Sequence, residues 1–98
     1  MEWLVEDALQ PGATLSLARM TVRAGCTSQA HRHPDCDEAV HVLSGRIEQR
    51  IGDRWLALGP GQTAHIPAGQ PHCSRALGGD DAVLLVAYSA GRRIYQPL

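Results

Sequence analysis

"HRHPDCDE", residues 31–38, places two histidines one residue apart, then a short turn, then a glutamate. In an extended strand residues i and i+2 share a face, so His31 and His33 aim to the same side. After the turn "PDCD", the segment "EAVHVLS" (38–44) reads as a new strand, and a hairpin can fold Glu38 back beside the two imidazoles. Further along, "IPAGQPH" (66–72) carries a proline and a glycine that shape a turn delivering His72. Three nitrogens and one oxygen can therefore converge on one point. Neutral imidazole suits borderline first-row metals, and a carboxylate adds negative charge while favouring harder ions.

Apolar residues elsewhere recur with period two or in short runs bounded by Gly, Pro, Asp or Ser, which predicts an all-β chain. The expected strands are 14–22, 28–33, 38–44, 46–51, 54–58, 63–67, 72–77 and 82–89. These eight antiparallel strands suit a small jelly-roll β-barrel of two sheets. Only the first ten residues leave room for a helix. "GD" at 52–53 reads as a tight hairpin turn, and "GPG" and "PAGQP" as sharp loops.

Ninety-eight residues allow one domain, 1–98, and no second one. The nine basic residues are all arginine and face ten acids, so the chain is near neutral and lacks the basic block that grips nucleic acid. The absence of lysine excludes Schiff-base chemistry on the protein. Cys26, Cys36 and Cys73 contain no C-x-x-C pair and imply no disulfide scaffold. The start "MEWLVEDALQPG" has no apolar run long enough for a signal peptide or membrane span, so the expectation is a cytoplasmic protein with reduced thiols.

The pattern Gly25-x5-His31-x-His33-x4-Glu38-x6-Gly45, followed by Gly61-x5-Pro67-x-Gly69-x2-His72, resembles both motifs of the cupin superfamily in their correct order. An asparagine common four residues after the last histidine is replaced by Ala76, which is not a metal position in the family pattern. The short stretch 46–60 between the motifs resembles the small single-domain microbial cupins, and the likeness covers about residues 14–90. The resemblance implies that His31, His33, Glu38 and His72 ligate one divalent metal ion per chain inside the barrel. With four protein ligands, an octahedral ion keeps open positions, which favours Fe, Mn or Ni over Zn, Co or Cu. Glu38 has other options: hydrogen-bonding a metal water, pairing with Arg32 or Arg46, or acting as a base if it loosens from the metal.

Parity extends the pocket. Gln29 shares the face of His31 and His33, and Gln49 should point inward beside Ile47 and Ile51. Met20 and Val40 supply apolar lining, and Ala76 bears on pocket polarity. His41 should point outward, whereas His65, two before Pro67, has no assigned direction. Cys36 reads as a small filler in the turn rather than a ligand. Arg92 and Arg93 read as surface charges or dimer contacts. "AVLLVAY" (82–88) is apolar on both faces and needs cover, by "EWLV" (2–5) or by a second subunit, so a homodimer is expected. The family hosts many activities, so function is less determined than fold. The leading expectation is a small metalloenzyme of dioxygenase, isomerase or lyase type acting on a small oxygen-bearing metabolite. The alternative is a non-enzymatic ligand-binding or sensory module.

Overall fold

The computed structural model describes residues 1–98 as ten strands with no helix. They are β1 (Glu2–Val5), β2 (Ser16–Val22), β3 (His31–Arg32), β4 (Glu38–Ser44), β5 (Ile47–Ile51), β6 (Arg54–Leu58), β7 (Thr63–Ile66), β8 (His72–Ala76), β9 (Ala82–Tyr88) and β10 (Gln96–Pro97). One sheet runs β1-β2-β9-β4-β7 and the other β10-β3-β8-β5-β6, with every pairing antiparallel. The eight expected strands are all present in jelly-roll order. Two additions correct the sequence reading: the first residues form edge strand β1 rather than a helix, and the C-terminus adds β10. The sheets face one another as two layers rather than closing into a continuous barrel.

The inner faces follow from period-two burial. On β4, Glu38, Val40 and Val42 point inward, and on β9, Ala82, Leu84, Val86 and Tyr88 do so. Ile47 and Ala76 meet them from the second sheet. The outward residues of β9, Val83, Leu85 and Ala87, remain half-buried. "EWLV" does not lie over that face; it pairs with β2 at the sheet edge.

Two turns require glycine. Between β5 and β6 the loop is Gly52-Asp53, closing at the pair Ile51 and Arg54, with φ 60° at Gly52 and no non-glycine residue at positive φ. That is the II′ arrangement, whose twist matches the strands. At Gly45, φ is 75° and a Cβ would stand 2.4 Å from the Asp81 carbonyl oxygen, so no side chain fits where β4 turns away beneath the 80–81 loop.

This architecture determines where the site falls. His31 on β3 is directly opposite His72 on β8, while Glu38 on β4 is directly opposite Tyr88 on β9. One end of the two-layer stack thus places two imidazoles on one sheet against a carboxylate and a phenol on the other. No helix is long and apolar enough to cross a membrane.

Candidate metal centre

His31, His33, Glu38 and His72 each offer a ligand atom, and these atoms lie within 4.8 Å of one another. The histidine rings pack at steep angles, with centroids 4.8 Å apart for His31–His33, 4.3 Å for His31–His72 and 5.2 Å for His33–His72. His33, Glu38 and His72 are buried, and His31 is partly open.

Each imidazole is oriented by a backbone carbonyl. His31 Nδ1 lies 2.7 Å from the Gln29 oxygen, His33 Nδ1 2.8 Å from Ile94 and His72 Nδ1 2.9 Å from Gln70. A carbonyl oxygen only accepts, so each Nδ1 carries the proton and donates it. In the neutral rings, Nε2 is then a lone pair turned inward. His33 Nε2 and His72 Nε2 stand 3.3 Å and 3.0 Å from Glu38 Oε1, but these are acceptors facing an acceptor. All three atoms are buried and lack a hydrogen-bond partner. Such a cluster costs free energy unless a proton or a cation enters it. Carbonyl-oriented histidines with free Nε2 lone pairs are the arrangement that metal ligation uses, so the donor set fits a divalent ion.

The electrostatics of the metal-free cluster agree. Burial raises the Glu38 carboxyl, but His33 and His72 outweigh it and hold that carboxyl below its ordinary range. Burial lowers His72, yet the adjacent Glu38 carboxylate brings it out above the ordinary histidine value. His31 is lowered, chiefly by burial. Neither Arg32 nor Arg46 pairs with Glu38; Arg32 is engaged by Gln96.

A cavity of about 180 Å³ opens beside these donors. Of the residues expected in it, Met20 and Gln29 line it, with Gln29 on the exposed rim. Val40, Gln49 and Ala76 do not. Val40 and Ala76 belong to the core between the sheets. Gln49 is fully buried but occupied: its amide donates to the Arg50 and Cys73 carbonyls at 3.1 Å and 3.0 Å and accepts from Ser74 Oγ at 2.6 Å. Its polarity is spent on these neighbours, leaving nothing for a ligand.

Among the cavity residues that sequence reasoning missed, Tyr88, Tyr95 and Arg93 carry the most chemistry. Tyr88 packs edge-on against His33, centroids 5.1 Å apart, and parity with Leu84 and Val86 could have found it. Tyr95 stacks on His31 at 4.5 Å and donates from its hydroxyl to Gln29 Oε1 at 2.9 Å. Arg93, read as a surface charge or a dimer contact, lines the cavity with its guanidinium over the Trp3, Tyr88 and Tyr95 rings. No local pattern marks Tyr95 or Arg93, because the chain returns to the site only after β9. Ile94 N anchors that return on Asp35 Oδ1 at 3.0 Å. Arg92 does face solvent, beside Asp7.

His41 and His65 stand apart from the cluster. His41 Nδ1 lies 2.7 Å from Thr63 Oγ1, and His65 Nε2 lies 2.9 Å from Asp37 Oδ2 on the outer surface. Cys36 is a buried free thiol.

A two-layer jelly roll with three histidines and a glutamate gathered between its sheets defines a β-sandwich that carries a group able to hold a metal ion. Residues 18–88 match the cupin domain family, and the chain belongs to that family. It is 28% identical over 81 residues to germin-like protein 3-8 of Oryza sativa subsp. japonica, across 78% of this chain and 36% of that protein. The chain thus spans about a third of the length of that relative. The solved structure of the TT1209 protein from Thermus thermophilus is 29% identical with a TM-score of 0.73, covering 78% of this chain and 72% of that one. A solved oxalate oxidase has a TM-score of 0.89 at 23% identity, covering 96% of this chain and 52% of that one. At that identity the likeness is one of fold.

Proposed function

We propose that this chain is a metal-binding cupin in which His31, His33, Glu38 and His72 hold one divalent ion, and that it acts on a small oxygen-bearing metabolite as a dioxygenase, isomerase or lyase. The observation that carries the reading is the trio of carbonyl-locked imidazoles, two of whose buried Nε2 atoms face an unpartnered Glu38 oxygen. Fe, Mn or Ni suits this mixed N/O set with open positions better than tetrahedral Zn does, with Co and Cu behind them. A bound ion supplies the charge that polarises a carbonyl or enolate oxygen, or a place for dioxygen.

The chain's own groups supply the rest. Met20 and Val86 exclude water from one wall of the cavity, and the half-open His31 side admits the ligand. Tyr95 and Gln29, bonded to each other, form a polar rim that can orient it. Glu38 serves as a ligand rather than a base, because a carboxyl held below its ordinary range is a weak proton acceptor. The half-buried outer face of β9 supports pairing of two subunits, and the three free cysteines suit a reducing, cytoplasmic setting.

Elemental analysis of protein purified without added metal or a histidine tag, beside His72→Ala, tests the reading. One Fe, Mn or Ni per chain, lost in the variant, is the expected result. No metal above background after anaerobic reconstitution overturns it. Sedimentation measures the subunit number in the same samples.

A further inference from the structure

The cavity holds a second, unpaired charge. Arg93 is the only arginine lining it and Glu38 the only acid. The Arg93 guanidinium sits 5.0 Å from the Trp3 ring centre, 5.4 Å from Tyr88 and 5.2 Å from Tyr95, an aromatic cage that fixes its plane. Its Nε–H is buried without a hydrogen-bond partner, and its other nitrogens meet only uncharged groups, the Met1 sulfur at 3.8 Å and the Tyr88 hydroxyl. Arg19, Arg75 and Arg92 pair with carboxylates on the surface, whereas Arg93 pairs with none. A guanidinium stays charged at every accessible pH, and its planar fork matches a two-oxygen anion.

We propose that Arg93 is the anion-holding residue of this cavity, and that its ligand is a compact carboxylate bearing a hydroxyl or carbonyl oxygen on the neighbouring carbon. The second half rests on the metal reading above. Arg93 and the histidines flank the same two rings: Tyr95 stacks on His31 and Tyr88 abuts His33, each with Arg93 on it. An anion on the guanidinium therefore shares its ring neighbours with the histidine cluster and lies in the same small cavity, which suits a short acid rather than a chain. The volume of about 180 Å³ agrees. Charge agrees too, because the single carboxylate of Glu38 does not balance Arg93 and a dication together, so an anion entering the cavity is attracted.

The test uses protein loaded with Co2+, whose visible spectrum reports the ligand set, with calorimetry as a second readout. Pyruvate is the probe, lactamide the neutral comparison and inorganic phosphate the competing anion. Pyruvate is expected to bind and shift the spectrum. Arg93→Met, which keeps an apolar stem against Trp3, should bind pyruvate about tenfold or more weakly while its Co2+ content and lactamide binding stay as in the wild type. Arg93→Lys keeps the charge without the fork and should lose severalfold; it decides the matter if Arg93→Met fails to fold. Equal pyruvate binding in wild type and variant overturns the proposal, as does tighter Arg93-dependent binding of phosphate, or no pyruvate binding at millimolar concentration. Wild-type protein that takes up no Co2+ overturns the metal reading instead. Pyruvate titrated onto that metal-free protein then still tests Arg93, whose assignment falls if binding does not depend on it.

Discussion

His72 sits between two opposing influences, burial and the Glu38 carboxylate, and the carboxylate prevails. A raised folded-state pKa contributes stability that is present below the unfolded value of about 6.5 and is lost as pH rises through the folded value. His31, lowered by burial, contributes with the opposite sign, losing stability as pH falls. Metal must displace the His72 proton, so metal affinity should climb as pH rises through the neutral range and level off once the raised His72 value is passed; competition titrations at several pH values measure this. Glu38, held low, stays ionised throughout that range and adds no slope. Cys36 makes a second prediction: burial and the neighbouring Asp35 charge push its thiol up to about 12. At pH 8 its thiolate is then roughly one part in ten thousand. A thiol reagent should find Cys26 fast, because it is exposed, and reach buried Cys36 and Cys73 only after unfolding. Fast labelling of Cys36 in the native protein would mean that the turn before Glu38 opens.

At the scale of elements, the strands are carried by alternation and the turns by glycine. Gly45→Ala forces a side chain into the left-handed region and into the Asp81 carbonyl, so it should cost about 2 kcal/mol or more. That lowers the melting temperature by roughly 8–16 °C for a domain of this size. Gly79→Ala, where a Cβ meets nothing within 4 Å, serves as the control and should melt like the wild type. The inward parity of β4 was legible because each residue's side follows from its neighbours' polarity, and Glu38, Val40 and Val42 fall as counted, whereas β9, apolar on both faces, carried no such mark. The edge strands were not. β1 and β10 are short, largely exposed segments with little apolar alternation, and they are strands because β2 and β3 present open edges to them. Gln49 shows the limit of parity: it does point inward, but only the positions of Arg50, Cys73 and Ser74 reveal that its amide is already satisfied.

For the whole molecule, only 21 of 98 residues are buried, so the margin of stability is narrow and the ligand cluster spends part of it on unpartnered buried atoms. An ion that binds the folded state alone stabilises by about 4 kcal/mol when free metal exceeds its dissociation constant a thousandfold. Stripping the metal with a chelator should therefore lower the melting temperature by more than roughly 15 °C, and restoring the ion should recover it. A melting curve indifferent to chelation would show that the cluster exists for packing alone. The sequence by itself determined the alternating strand pattern and the grouping of His31, His33 and Glu38, because periodicity and short spacing are written within a few residues of chain, while the cupin motif pattern added His72 from farther along. Tertiary structure alone decided that Arg93, Tyr88 and Tyr95 complete the cavity and that Gln49 does not. Those outcomes depend on where the chain returns after β9, and on which neighbours reach each polar group first.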